Sequence, residues 1–496
     1  MNDAENGRES EDIAALAKGG RANVLGFVMR LAARMPFLFI AGRIYGAEAL
    51  GRFAYAALIA EFASQLATLG LKRGLAAGLA QTKRSESHVV ADALVLSGGV
   101  ATLAALILFA FPGIMFPTSE LSGFDRLLPL ATIMLAIIEV SLASCAWRFD
   151  IAASVRTRAV LEPWTLSICS LLFSFYTLRD GLILSYVVSL VVALVVSCWS
   201  MSRHYGWPSG WRLKPMRLWR MARINLPLAA ADAVEWGTRR LDMAILGLFV
   251  SPAVVGVYYI AQQVATLPQK LKTSFEPVLG PVITRNLKEG NLSAIAAQVS
   301  QVGFWIVAAQ LGIALALGVP GKAVTGLLGP QFVGGALALA CLLAAEVLAS
   351  TAVVSESALV YIARHRNLMI SLLSIAVQAG LSFVFILYIR AAGLPDMVMA
   401  AAPALALAIG LGLSSLIKAR LLSHLLGSRI STWRPILFVA GGLTAGIGAL
   451  FASLPQSLEW VQLGVGFPVM MAAYFYIIWR YAFGPDDRAL FQKKRT

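Results

Sequence analysis

Read for hydropathy alone, the chain alternates apolar blocks of about 20 residues with short polar connectors. The blocks fall near 22–44, 51–74, 89–112, 126–147, 159–178, 181–200, 224–250, 254–277, 293–319, 331–362, 368–390, 396–417, 435–453 and 461–483. A helix rises about 1.5 Å per residue, so each block can cross about 30 Å of hydrocarbon. Backbone groups in lipid must be satisfied within a helix or a closed barrel, and the short alternating pattern of barrel strands is missing. The expectation is an all-α polytopic membrane protein with about 14 transmembrane helices. Residues 1–21 are polar, and the first block is expected to serve as the insertion signal.

Composition agrees: 58% of the 496 residues are hydrophobic and 14% charged, against about a quarter charged in soluble domains. The +15 net charge raises the question of nucleic acid, and the placement of the 41 basic residues answers it. Most of them, including Lys72, Arg73, Lys83, Arg84, Arg156, Arg158, Arg203, Arg212 and Lys418, lie at one set of block ends. Arg43, Arg52, Arg126, Arg179, Lys322 and Arg390 lie at the other set. Basic residues mark cytoplasmic segments, so both termini are expected in the cytoplasm, in a multi-pass protein of the cell inner membrane. The expected partners are anionic membrane lipids and no nucleic acid. The longest connector, 201–223, leaves no room for a soluble domain.

Enzymatic machinery is not visible. Cys145, Cys169, Cys198 and Cys341 all fall in apolar blocks without metal-ligand spacing, and the four histidines are scattered. No phosphate-binding glycine loop is present. No metal and no cofactor are expected, and the chain is not expected to be an enzyme.

The sequence also aligns with itself at an offset of 205 residues. Arg34 lies over Arg239, Gly42 over Gly247, Gly51 over Gly256, Phe53 over Tyr258 and Lys83 over Lys288. This implies two pseudo-symmetric six-helix bundles related by an axis along the membrane normal, as in alternating-access transporters. The expected organisation is 1–200 for the first bundle, 201–223 for a basic, tryptophan-rich linker and 224–420 for the second bundle. Two further helices and a tail occupy 421–496. The linker, with Trp207, Trp211 and Trp219 among its arginines, suits a segment lying in the membrane interface.

"GRIYGAEALGRFAYAALIAEFASQLATLGLKRG" from Gly42 and "LDMAILGLFVSPAVVGVYYIAQQV" from Leu241 resemble the signatures of the Wzx-type bacterial polysaccharide flippases. The points of likeness are Gly46, Gly51, Phe53 and Tyr55 in the first stretch, and Asp242, Gly256 and Tyr258 in the second. That family stands with the lipid II flippases and the MATE multidrug antiporters. The resemblance implies a two-bundle fold around a central cavity. It also implies export of an undecaprenyl-diphosphate-linked oligosaccharide for O-antigen, capsule or exopolysaccharide, alongside a polysaccharide polymerase and glycosyltransferases. Many Wzx-type proteins have twelve spans, whereas lipid II flippases have fourteen, so a lipid II flippase remains an alternative, as does a MATE-type cation-coupled antiporter.

Charges inside the apolar blocks are the candidate site. Asp232, Glu235, Arg239 and Asp242 recur every three or four residues, which places them on one helix face. Arg30 and Arg34 lie in the first block, Glu61 in the second, Lys270 in the eighth and Glu346 in the tenth. An ionised side chain at mid-membrane costs about 2.5–3.5 kcal/mol on insertion scales, so each needs a partner or water. In one reading, Glu235–Arg239 and Arg239–Asp242 are internal ion pairs. In the other, Arg30, Arg34, Arg239, Arg240 and Lys270 bind substrate, since an arginine fork matches phosphate oxygens. Glu61, Asp232, Glu235, Asp242 and Glu346 would then couple an ion or gate the path.

Overall fold

The computed structural model describes residues 35–121, 123–273, 283–453, 461–484 and 487. Arg30 and Arg34 lie outside them. The described residues are overwhelmingly helical and include no strand. Residues 35–45 are helical and lead into α1 (Gly46–Ala67), α2 (Leu71–Gln81), α3 (Glu86–Ala110), α4 (Pro129–Trp147), α5 (Glu162–Ser174), α6 (Gly181–Tyr205) and α7 (Pro215–Leu246). There follow α8 (Pro252–Thr273), α9 (Leu292–Gly318), α10 (Ala336–Ile362), α11 (Arg364–Ala391), α12 (Ala401–Leu426), α13 (Pro435–Ala452) and α14 (Phe467–Ile477). From residue 51 onward each expected apolar block coincides with a helix. Two of them, 159–178 and 461–483, include π-helical turns at Val155–Leu161, Gln462–Gly466 and Ile478–Ala482. Nine helical stretches among the described residues are long and apolar enough to cross a membrane. The chain is a multi-pass membrane protein. α7 is not one of the nine, because its charges dilute its hydropathy.

Packing groups the described residues up to Tyr259 in one compact unit and those from Ile260 onward in the other. By sequence α7 opens the second half of the repeat, yet its side chains pack within the first unit, against α1, α2 and α3.

In the first unit α1 is the axis of the core, buried continuously from Leu50 to Leu58. It crosses the start of α8 at Gly51 and Gly256, two positions that the internal repeat aligns. A Cβ on Gly51 would overlap the Pro252 carbonyl, and one on Gly256 would overlap the Ala47 carbonyl. Membrane helices pack this closely only through small residues. Facing the start of α1, Arg52 is buried between Asp125 and Asp180 (3.0 Å to the latter), with its guanidinium carbon 5.4 Å from the centre of the Phe116 ring. Arg52, counted from the sequence among the second set of block ends, is thus an internal, ion-paired residue.

The connector between α6 and α7 is shorter than its composition suggests. α6 continues through Tyr205 and α7 starts at Pro215, which leaves 206–214 between them. Trp211 donates its indole N–H to Asp92 of α3 at 2.8 Å, and Arg84 pairs with the other oxygen of Asp92 at 2.9 Å. Trp207 and Trp219 are exposed, as an interfacial position requires.

In the second unit α12 packs along both α10 and α11, with α9 against α10. Short polar ties hold the small-residue contacts: Ser415 Oγ accepts the Ala352 N–H at 3.2 Å, and buried Lys418 meets Glu356 at 2.9 Å. The last helices are stitched to α9. Asp487 takes Arg434 at 2.9 Å and the Trp305 indole at 2.8 Å, while Arg434 lies 3.7 Å over Phe304.

Gly51→Val is therefore expected to lower the melting temperature of detergent-purified protein markedly, at a cost of about 1–3 kcal/mol, because the obstructing atoms are backbone. Gly78→Ala, at a helical position with open space around it, is the control and should be neutral or slightly stabilising. Equal behaviour of the two variants would show that the crossing tolerates a side chain.

Candidate functional site: a membrane-embedded ion network

The charges of the first unit form a linked chain. At one end, on α5, Glu162 pairs with Arg158 at 2.8 Å, and Arg158 also pairs with Glu139 of α4. Glu139 takes Lys72 of α2 at 3.1 Å. The next residue, Arg73, reaches Asp232 of α7 through Nε at 2.9 Å and Glu235 through Nη2. Glu235 ends the chain by pairing with Arg239 at 3.3 Å. Four cations and four carboxylates balance, so the group is close to neutral, which is how a protein keeps charge in a low-dielectric setting.

Glu139 lies eight residues, about 12 Å, inside the Trp147 end of α4, and Asp232 lies eight residues, about 12 Å, beyond Ile224, where the apolar block of α7 begins. Asp232 is buried, with 1% of its side chain exposed, whereas Arg73 (49%), Glu235 (48%) and Arg239 (39%) are open. Ionised groups this exposed cannot face hydrocarbon at tolerable cost, so this part of the network faces water. Beside it, Trp236 stacks on Phe62 of α1 with ring centres 4.2 Å apart, which fixes α7 against α1.

The sequence-predicted residues divide as follows. Asp232, Glu235 and Arg239 come together in the network, and the i, i+4 pair Glu235–Arg239 is present. The expected Arg239–Asp242 pair is replaced. Asp242 is fully buried and accepts a hydrogen bond from the Tyr258 phenol of α8. Arg240 is half-buried on α7, and Glu61 is half-buried on α1, within electrostatic reach of buried Tyr186. Glu346 is buried on α10 of the second unit. Lys270 belongs to α8, with its side chain outside the described residues. Among the described residues no cluster of His, Cys, Asp and Glu is arranged to hold a metal ion.

Lys72, Arg73, Glu139, Arg158 and Glu162 were missed as site residues. Their positions at block ends gave them to the orientation count, and the carboxylates of blocks four and five drew no attention. Two signals were available: the Arg158/Glu162 spacing of i, i+4, and Glu139 well inside an apolar block.

A model of the family described as polysaccharide biosynthesis protein matches residues 40–308. The chain belongs to that family. This polysaccharide biosynthesis protein also shares its fold with solved transporters. It superposes on "Lipid II flippase MurJ, inward closed conformation" with a TM-score of 0.70 at 9% identity, over 92% of this chain and 99% of that one. An inward-facing multidrug resistance MATE family transporter of the MOP superfamily gives 0.59 at 14% identity, over 80% and 98%. A MOP superfamily transporter from Pyrococcus furiosus gives 0.53 at 13%, over 84% and 96%. No curated protein matches the sequence. The likeness drawn from the glycine and aromatic motifs thus holds for both family and fold.

Glu139 joins two cations, so its removal is expected to cost stability directly. Glu139→Gln should destabilise the folded protein by about 2–4 kcal/mol, because it leaves Lys72 and Arg158 under-compensated. Adding Lys72→Met should recover part of that loss. Thermal unfolding of the single and double variants reads both effects, and a neutral Glu139→Gln would mean that the network is not stabilising.

Proposed function

We propose that this polysaccharide biosynthesis protein is a flippase. It carries an undecaprenyl-diphosphate-linked oligosaccharide from the inner to the outer leaflet of the cell inner membrane, for O-antigen, capsule or exopolysaccharide assembly, with both termini cytoplasmic. One observation supports this reading above the rest: arginines and carboxylates on membrane-embedded helices are half exposed, in a chain of a polysaccharide biosynthesis family. Guanidinium groups already paired with carboxylates can exchange them for phosphate oxygens, which offer the same bidentate geometry. In this scheme Arg30, Arg34, Arg239, Arg240 and Lys270 meet the diphosphate. Glu61, Asp232, Glu235, Asp242 and Glu346 bind a coupled ion or gate the path. The glycan comes from glycosyltransferases and passes to a polymerase.

A lipid II flippase is the second reading, favoured by the 0.70 superposition on MurJ. Both cargoes present a lipid diphosphate, so the same cations serve either. A MATE-type exporter of organic cations fits less well, since arginines repel such a cargo.

The driving force follows from the cargo. A diphosphate carries about two negative charges, and moving them outward through an inside-negative potential is favourable by about 4.6 kcal/mol per 100 mV. Two outcomes are expected. Arg30→Ala and Arg34→Ala abolish export in a complementation assay while the protein still accumulates, and lysine at either site restores only part, because the fork is lost. In vesicles with the potential and the proton gradient clamped separately, export weakens when the potential is collapsed. Normal complementation by both alanine variants would refute their role in binding substrate, and export indifferent to the potential would refute the electrical drive.

A further inference from the structure

Arg73 is held in an unusual way. One edge of its guanidinium, Nε and Nη2, meets Asp232 Oδ1 at 2.9 Å and Glu235 Oε2. Two carboxylate oxygens side by side on one edge occupy the places that two phosphate oxygens take in a bidentate pair. The remaining nitrogen, Nη1, has no ion-pair partner among the described residues, and the side chain is half exposed. An arriving anion therefore has a place to land before any internal pair breaks.

The two carboxylates differ in what they can do once released. Glu235 is open to water and has a second cation in Arg239. Asp232 is enclosed, and its Oδ2 is buried without a hydrogen-bond partner. The groups facing it are Arg73 and Lys72 of α2, Glu139 of α4 and Glu235 of its own helix. Of the other helices against α7, α1 carries Glu61, while α3 carries Asp92, which is engaged with Arg84 and Trp211. Lys72 is committed to Glu139. The counter-charge of Asp232 is therefore Arg73, and an enclosed carboxylate that loses it becomes neutral by protonation.

We propose that Asp232 and Glu235 are internal stand-ins for the substrate diphosphate, and that Arg73 is a substrate-binding residue they keep occupied between cycles. The diphosphate takes the Arg73 guanidinium, Glu235 turns to Arg239, and Asp232 takes one proton from water onto Oδ2. No covalent bond to phosphorus forms or breaks. On release of the diphosphate Arg73 returns to Asp232, and the proton leaves. The inference rests on the lipid-diphosphate cargo and adds to it a proton that travels with the substrate. The charge moved per cycle falls from about two to about one, because one proton accompanies the anion.

Calorimetric titration of the full-length protein in nanodiscs with undecaprenyl diphosphate tests this. Running it at about pH 7 in two buffers of different ionisation enthalpy counts the protons exchanged per ligand bound. The native protein is expected to take up about one proton more than Asp232→Asn, a difference in which the ligand's own ionisation cancels. Asp232→Asn and Glu235→Gln should each bind the ligand about tenfold more tightly, because a competitor is gone, and Glu235→Gln should leave the proton count unchanged. Arg73→Gln should weaken binding at least about tenfold. Equal proton uptake by native protein and Asp232→Asn, or native-like affinity in Arg73→Gln, overturns the inference and leaves the cargo reading standing. Failure of the native protein to bind undecaprenyl diphosphate at all overturns the cargo reading and this inference with it.

Discussion

An ionised side chain placed in hydrocarbon must find an opposite charge or water, and the first unit is arranged around that requirement. Its network satisfies both routes at once. Toward Glu162, Arg158 and Glu139 the groups are mostly enclosed and compensated by one another, while toward Arg73, Glu235 and Arg239 they open to water. The same chain of pairs is therefore internal cement at one end and a water-facing surface at the other. A cluster of cations alone would carry a large unbalanced charge. Near neutrality keeps such a group tolerable inside the protein.

The second unit solves its packing differently. Its interhelical ties are hydroxyls and small residues, with one buried lysine on Glu356 and a terminal aspartate fastening Arg434 and Trp305. The two units thus differ in how charge is distributed between them, whatever the sequence offset of 205 residues predicts of their relation.

The helices were legible because a membrane span announces itself by length and hydropathy, although the observed helices run past the block edges by up to nine residues, as at Pro215 and Leu426. α7 was legible for the opposite reason, since its charges interrupt an apolar run at helical spacing. The site was legible only along α7. Asp232, Glu235 and Arg239 share a face that periodicity reveals, but their partner Arg73 comes from a different helix at a distance of more than 150 residues in sequence. Periodicity is a local signal and carries no information about such a contact. Tyr258 capturing Asp242 was hidden in the same way, because only the close approach of α7 and α8 makes it.

The indole of Trp211 on Asp92 has a mechanical meaning. An untied connector of nine residues, 206–214, would let the start of α7 wander from the end of α6 by about 30 Å when stretched. With Trp211 pinned to α3, three residues remain before Pro215, and the leash shortens to about 10 Å. Arg84 shares the same aspartate, so the pin is charge-assisted as well as aromatic. The basic end of α7 is thus hobbled: it can rotate and tilt about a nearby post, but it cannot drift away from α3 unless Asp92 lets go.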